Sequence, residues 1–241
     1  MRRTALITGA SRGLGRALAE RLAADGWNLV VDARDGRALA RARAGMDAAG
    51  PGAVVALSGD VTDPVHVSAL VGAAVAQGRF ELVVNNAGTL GPHPLPRVAS
   101  LATGDLERAL STNLVAPLRI VQAALPHLRA TQGTVVNVTS DAAVEGYEGW
   151  GAYGATKAAL EQLSRVLAAE EAAVHVYWVD PGDMRTQMHQ DAFPGEDISD
   201  RPNPQSRVAG LVRLVAERPP SGRYRVDDLL APAGELAEAQ R

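Results

Sequence analysis

The chain has 241 residues, 46% apolar and 21% charged, ordinary fractions for a soluble globular protein long enough to form one large domain around a substantial core. Its net charge of −3 and pI near 6.0 argue against a surface built for nucleic acid or anionic lipid. The absence of cysteine excludes disulfides, thiolate metal sites and cysteine nucleophiles.

The chain opens with Met1-Arg2-Arg3 and a short apolar stretch broken at Gly9, too brief for a signal peptide. No apolar run reaches membrane-spanning length, so a cytoplasmic location is expected. Thr4 to Thr8 reads as a buried strand, and Gly13 to Ala24 as a helix with Leu14, Ala17, Leu18 and Leu22 on one side, closed by Asp25-Gly26. Leu29 to Ala33 is a second strand, followed by an Arg/Ala-rich helix to about Ala49, and Ala53 to Leu57 a third strand. Asp63-Pro64 sets a capping carboxylate before a helix-initiating proline. Leu82 to Asn85 and Gly133 to Ser140 read as the fourth and fifth strands, with a long helical region between them. A long Ala-rich helix covers Gly151 to Ala172, Val174 to Val179 is a sixth strand, and Arg223 to Val226 a seventh. Met184 to Ser206, rich in Pro, Gly, Asp and Asn, reads as a loop that covers a substrate.

Continuous apolar strands alternating with helices predict an α/β fold: a doubly wound, mostly parallel seven-stranded sheet of the Rossmann type, helices on both faces, in one catalytic domain over residues 1–241. Ligands of such sheets bind at the carboxyl edge. Gly9, Gly13 and Gly15 fall there, between the first strand and the first helix. Small residues at that turn let the backbone approach a pyrophosphate, and the helix N-terminus offers N–H donors.

The 24 basic residues include a single lysine, Lys157, four positions after Tyr153. Residues four apart share a helix face. A cation beside a phenol favours the phenolate, and bringing a tyrosine to a pKa of ~7 takes about 4 kcal/mol. Lysine supplies a compact point donor that arginine does not. The pair therefore predicts a tyrosine acidified for acid-base work. The five histidines (His66, His93, His127, His175, His189) fall at no metal-ligand spacing and read as surface or packing residues, and no metal site is expected.

In sequence order these features resemble the short-chain dehydrogenase/reductase superfamily, its short single-domain branch. T-G-x-x-x-G-x-G is matched by Thr8 to Gly15 and N-N-A-G by Asn85 to Gly88. Asn113 in STNLVAPL matches a helix asparagine, and Ser140 a serine after the fifth strand. Tyr153 and Lys157 match Y-x-x-x-K, and Pro181 to Thr186 match P-G-x-x-x-T. The resemblance implies a catalytic set of Asn113, Ser140, Tyr153 and Lys157. Tyr153 would exchange a proton with a carbonyl or alcohol oxygen, Ser140 would bond that oxygen, and Asn113 would hold a water linking Lys157 to solvent. It implies a nicotinamide cofactor held by Gly9, Ser11, Arg12, Gly13, Leu14, Gly15, Arg34, Asp60, Val61, Asn86, Ala87, Gly88, Pro181, Gly182 and Thr186, together with Tyr153 and Lys157. Asp60-Val61 would contact the adenine and Thr186 the carboxamide.

Counted as in similar sequences, the position that chooses between cofactors falls on Ala33, followed by Arg34, and Asp32 points to the opposite strand face. Arg12 and Arg34 would clamp a 2′-phosphate, so NADP(H) is expected over NAD(H). The substrate would be a small carbonyl or alcohol held by Leu90 to Leu95, Ala142 to Trp150 and Met184 to Pro194, with Tyr147, Trp150, Met184, Met188 and Phe193 as apolar wall. No nucleic-acid or membrane partner is expected. The stretch from Val226 onward lacks the glycine pair usual near this family's carboxyl end, which leaves the expected homo-oligomer as dimer or tetramer. A catalytically silent cofactor sensor on the same fold is the alternative. A sugar-nucleotide epimerase or dehydratase would need a larger carboxyl-terminal domain than this length holds.

Overall fold

The computed structural model describes residues 1–231. The first third of the chain alternates β1 (Arg3–Ile7), α1 (Gly13–Ala24), β2 (Asn28–Ala33), α2 (Gly36–Ala49), β3 (Val54–Ser58) and α3 (Pro64–Ala76). Then come β4 (Arg79–Asn85), α4 (Thr103–Leu110), α5 (Ala116–Thr131), β5 (Thr134–Val138) and α6 (Gly151–Glu170). The remaining elements are β6 (His175–Asp180), α7 (Gln187–Ala192), α8 (Pro204–Glu217), β7 (Gly222–Arg225) and α9 (Val226–Leu230).

All seven strands join one parallel sheet in the order β3-β2-β1-β4-β5-β6-β7. Side chains alternate between its faces, and both faces are buried. Ala5, Ile7, Leu29, Val31, Leu82 and Val84 enter one core with the apolar sides of α1, α2 and α8. Leu6, Val30, Val83 and Val135 enter the other with α3 and α5. That double burial is why the central strands are largely apolar runs rather than apolar-polar alternations, while the edge strand β7 is Gly-Arg-Tyr-Arg. After β3 the chain crosses back to place β4 beside β1, and the carboxyl ends of those two strands open a crevice at the switch point.

Helix starts follow local chemistry. Asp63 accepts the Val65 N–H ahead of Pro64, and Asp35 accepts those of Arg37 and Ala38. Two expectations change. The region between β4 and β5 is not one regular helix: a π-helical turn, Ser111–Val115, separates α4 from α5. The stretch from Met184 to Ser206 is not wholly loop. Thr186 accepts the His189 N–H and starts α7, and Pro204 already begins α8. Six residues of helix lie below the length at which apolar periodicity becomes visible in sequence. Of the stretch from Val226 onward, residues 232–241 lie outside the described residues. Among the described residues, no helix is long and apolar enough to cross a membrane.

Candidate active site

The crevice is a cleft of about 430 Å³ running from the glycine turn after β1 to α7. Gly9 and Gly13 have φ of +67° and +59°, the left-handed region that a side chain disfavours. Gly15 is required for a different reason: a Cβ there would sit 2.4 Å from Asn86 Nδ2 and 2.7 Å from the Gly9 carbonyl oxygen. Asn86 Nδ2 donates to the carbonyls of Thr8 (2.8 Å) and Gly9 (3.1 Å). In return Thr8 Oγ1 accepts the backbone N–H groups of Asn86 and Ala87, both at 3.0 Å. The Asn86 side chain thus braces the two turns, while the Ala87-Gly88 backbone forms the cleft wall. Ser11, Arg12, Gly13 and Leu14 line the cleft at the start of α1, whose first turn carries no acidic residue to compete with an anion.

At the far end of this wall Asp32 is buried with both oxygens engaged. Oδ1 accepts the Gly9 N–H at 2.8 Å, and Oδ2 lies 3.2 Å from His66 Nε2. Burial raises the Asp32 pKa, against the pull of the Gly9 N–H and His66. His66, read in the sequence only as a surface or packing residue, closes this support; nothing in its spacing pointed to Asp32. Arg12 and Arg34 are exposed and line the same end of the cleft, with Asp60 and Val61 beside them. Asp60 accepts the N–H and hydroxyl of Thr62, both at 2.8 Å, which holds its carboxyl below the usual range, with Arg34 adding to the effect.

At the other end the structure brings Ser140, Tyr153 and Lys157 onto one wall. Tyr153 and Lys157 share the buried face of α6, and Nζ lies 5.5 Å from the phenol ring centroid. Lys157 is 4% exposed and donates to the Val138 carbonyl at 2.7 Å. Ser140 follows β5, its hydroxyl donating to Asp141 Oδ1 at 2.8 Å. Asn113 sits in the π-helical turn. Its Nδ2 donates to the Thr89 carbonyl (2.8 Å) and Thr156 Oγ1 (2.9 Å), and Oδ1 accepts the Thr89 N–H at 2.9 Å. Thr156 passes the connection on to the Tyr153 carbonyl at 2.7 Å. Both amide hydrogens of Asn113 are therefore committed to protein, and only acceptor capacity on Oδ1 remains for a water. A Cβ on Gly88 would lie 3.3 Å from Asn113 Oδ1 and 3.8 Å from Lys157 Nζ, so this wall is filled by backbone.

Titration differs from the sequence expectation. Burial pushes the Tyr153 phenol above its ordinary value, the Ser140 hydroxyl pulls it down, and the carboxylates of Asp180 and Asp141 push it up again. Burial also lowers Lys157, to about 8. Burial is the largest influence on the phenol and leaves it above its ordinary value.

Leu90, Trp150, Met184 and Met188 line the cleft beyond Tyr153. Trp150 meets Tyr153 edge to face, centroids 5.7 Å apart, and Phe193 backs Trp150 at 5.9 Å. Tyr147 departs from the expected wall: it is exposed at the rim, where its hydroxyl donates to Asp141 Oδ2 at 2.9 Å. Pro181, Gly182 and Thr186 line the opposite side, and Thr186 faces the glycine turn. Among the described residues, no group of His, Cys, Asp or Glu is arranged to hold a metal ion.

Comparison with known proteins agrees with this geometry. Residues 3–197 match the short chain dehydrogenase family. Sepiapterin reductase from Bos taurus is 36% identical over 197 residues, covering 77% of this chain and 74% of that protein. Among solved structures, the KRED1-Pglu enzyme superposes with a TM-score of 0.82 at 31% identity, covering 92% of this chain and 99% of the other. A putative short chain dehydrogenase from Shigella flexneri, complexed with NADP, gives 0.86 at 26% identity over 93% of this chain and 97% of the other. A parallel sheet with this strand order, a glycine turn at its switch point and a sequence match over most of the length lead to one conclusion: the chain belongs to the short-chain dehydrogenase/reductase family of oxidoreductases.

Proposed function

We propose that this chain is an NADP(H)-dependent oxidoreductase that interconverts a carbonyl and a secondary alcohol, with Tyr153 as the general acid and base. The observation that carries the reading is the burial of Tyr153 and Lys157 side by side, with Ser140, in the cleft that starts at the glycine turn. The residues present fit a dinucleotide: glycine backbone and the first N–H groups of α1 for a pyrophosphate, and two exposed guanidinium groups where a ribose phosphate would lie. When bound, the nicotinamide supplies or accepts the hydride.

The protein's part is to orient and to move a proton. Ser140 exchanges its bond to Asp141 for one to the substrate oxygen, and Tyr153 donates its proton to that oxygen as charge develops there. The Lys157 ammonium favours the tyrosinate left behind. Thr186 and the α7 segment, within the 184–206 lid, cover the substrate side. The phenol, held in its acid form, favours reduction at neutral pH, whereas oxidation requires the tyrosinate and gains with alkali. The substrate is a small molecule with an apolar part against Trp150 and Met188. The protein acts in the cytoplasm as a homodimer or homotetramer.

Two results test the reading. Because the Lys157 charge is present below a pKa of about 8 and lost above it, kcat/KM for NADPH-driven ketone reduction is flat on the acid side and falls above about pH 8. A rate rising through that range contradicts the assignment of both groups. Steady-state turnover with a panel of ketones, aldehydes and acyl thioesters favours NADPH over NADH, and Arg34→Ala lowers kcat/KM for NADPH about tenfold while leaving NADH within about twofold. NADH at least as efficient as NADPH in the unsubstituted protein removes the cofactor assignment. Binding of NADPH without turnover of any panel member leaves the silent sensor.

A further inference from the structure

Behind Ser140, from Asp180 at the cleft wall back to the edge strand, charged side chains interlock in a way the reaction scheme does not use. Glu161 lies one turn past Lys157 on α6 and is 1% exposed. Its Oε1 accepts from Thr139 Oγ1 at 2.9 Å and from Arg223 Nε at 3.0 Å, and Oε2 faces Arg165 at 3.5 Å. Arg223 stands on the edge strand β7, and its Nη2 reaches the Ser140 carbonyl oxygen at 3.3 Å and Asp180 Oδ2 at 3.4 Å. The other Asp180 oxygen accepts the Gly182 N–H at 2.9 Å, at the start of the turn that leads to Thr186. One guanidinium therefore touches the strand end that carries Ser140, the helix that carries Tyr153 and Lys157, and the turn that carries Thr186. Two carboxylates this deeply buried require a cation, and a planar guanidinium reaches acceptors on separate segments with five N–H donors held in a fixed fork.

We propose that Arg223 is a positioning residue for the active site: it fixes the backbone of Ser140 and neutralises Glu161 and Asp180 behind the phenol of Tyr153. This rests on the acid-base reading of Ser140 and Tyr153 given above. The charged groups that bear on the phenol are Lys157 on its own helix, Asp141 after β5 and Asp180 at the end of β6; Asp183 after β6 and His189 on α7 line the same cleft. Arg223 acts on the phenol through Asp180, and Glu161 and Arg165 act through Arg223. Among them Asp180 opposes formation of the tyrosinate, and Arg223 is the cation on its free oxygen. Removing that cation leaves an uncompensated carboxylate in the cleft that Tyr153 lines, which moves tyrosinate formation to higher pH.

The experiment measures kcat, KM and the alkaline limb of alcohol oxidation for the unsubstituted protein, Arg223→Gln, Arg223→Lys and the double variant Arg223→Gln/Asp180→Asn, with NADPH affinity followed by fluorescence. In Arg223→Gln, kcat falls about tenfold, KM and NADPH affinity stay near their starting values, and the limb moves up by roughly half a pH unit. The double variant returns the limb to its original position but not kcat, because the hold on Ser140 is still missing. If Arg223→Gln does not fold, Arg223→Lys carries the test: the charge remains, so the limb stays in place while kcat falls. Full kcat in Arg223→Lys, or an unmoved limb in a folded Arg223→Gln, overturns the proposal. Failure of the underlying reading looks different: no turnover by the unsubstituted protein, or turnover that survives Tyr153→Phe.

Discussion

Tyr153→Phe abolishes carbonyl reduction while NADPH binds with nearly unchanged affinity. The phenol oxygen is the only heavy atom removed, and the ring keeps its edge-to-face contact with Trp150 and its place beside Lys157. Positioned general acids typically contribute about 10²- to 10⁴-fold, and here the protein has no substitute donor at the same point. Ser140 hydrogen-bonds the substrate oxygen without transferring its proton, and Lys157 is bonded to the Val138 carbonyl. The expected kcat is therefore lower by about 10³-fold or more, at the steep end of that range. Steady-state kinetics with a cofactor titration decide it. Retention of a tenth of the starting rate in the phenylalanine variant means that the proton comes from elsewhere.

Lys157→Arg keeps the charge and loses most of the activity. The ammonium occupies a site that is 4% exposed, with a carbonyl 2.7 Å away and the phenol ring alongside. A planar guanidinium is wider, spreads its charge over three nitrogens and cannot reproduce a compact donor in that volume. A displacement of about 1 Å at a reacting centre can cost about 10²-fold, and that is the expected loss in kcat. The two substitutions also separate in their pH behaviour. The decline above about pH 8 that belongs to Lys157 is absent from the residual activity of the arginine variant, because a guanidinium keeps its proton there. Normal turnover in the arginine variant shows that charge alone suffices and removes the point-contact argument.

The strands and the alternating helices could be read from the sequence because the central strands are buried on both faces, which leaves apolar runs such as Leu29 to Val31. The residues gathered at the cleft were legible for a related reason: glycines at a strand-helix turn and a Tyr-Lys pair one helical turn apart are local patterns. What stayed hidden depends on contacts between distant segments. Asp32 and His66 meet across 34 positions, Glu161 and Arg223 across 62. The π-helical turn at Asn113 was hidden as well, since a single widened turn leaves the polar and apolar pattern almost unchanged. The direction in which burial moves the Tyr153 phenol is hidden for the same cause. A sequence shows the lysine beside the tyrosine, but not the loss of water around both.

The one lysine of this sequence lines the cleft beside Tyr153, which makes it a single address for lysine-directed chemistry. Apart from the terminal amine, an amine-directed reagent has one side-chain amine to modify, and the same residue is the one cleavage point for a lysine-specific protease. Lys157 lies in the middle of α6, so hydrolysis there requires that helix to open, and protection by a bound dinucleotide would register directly as a slower cut.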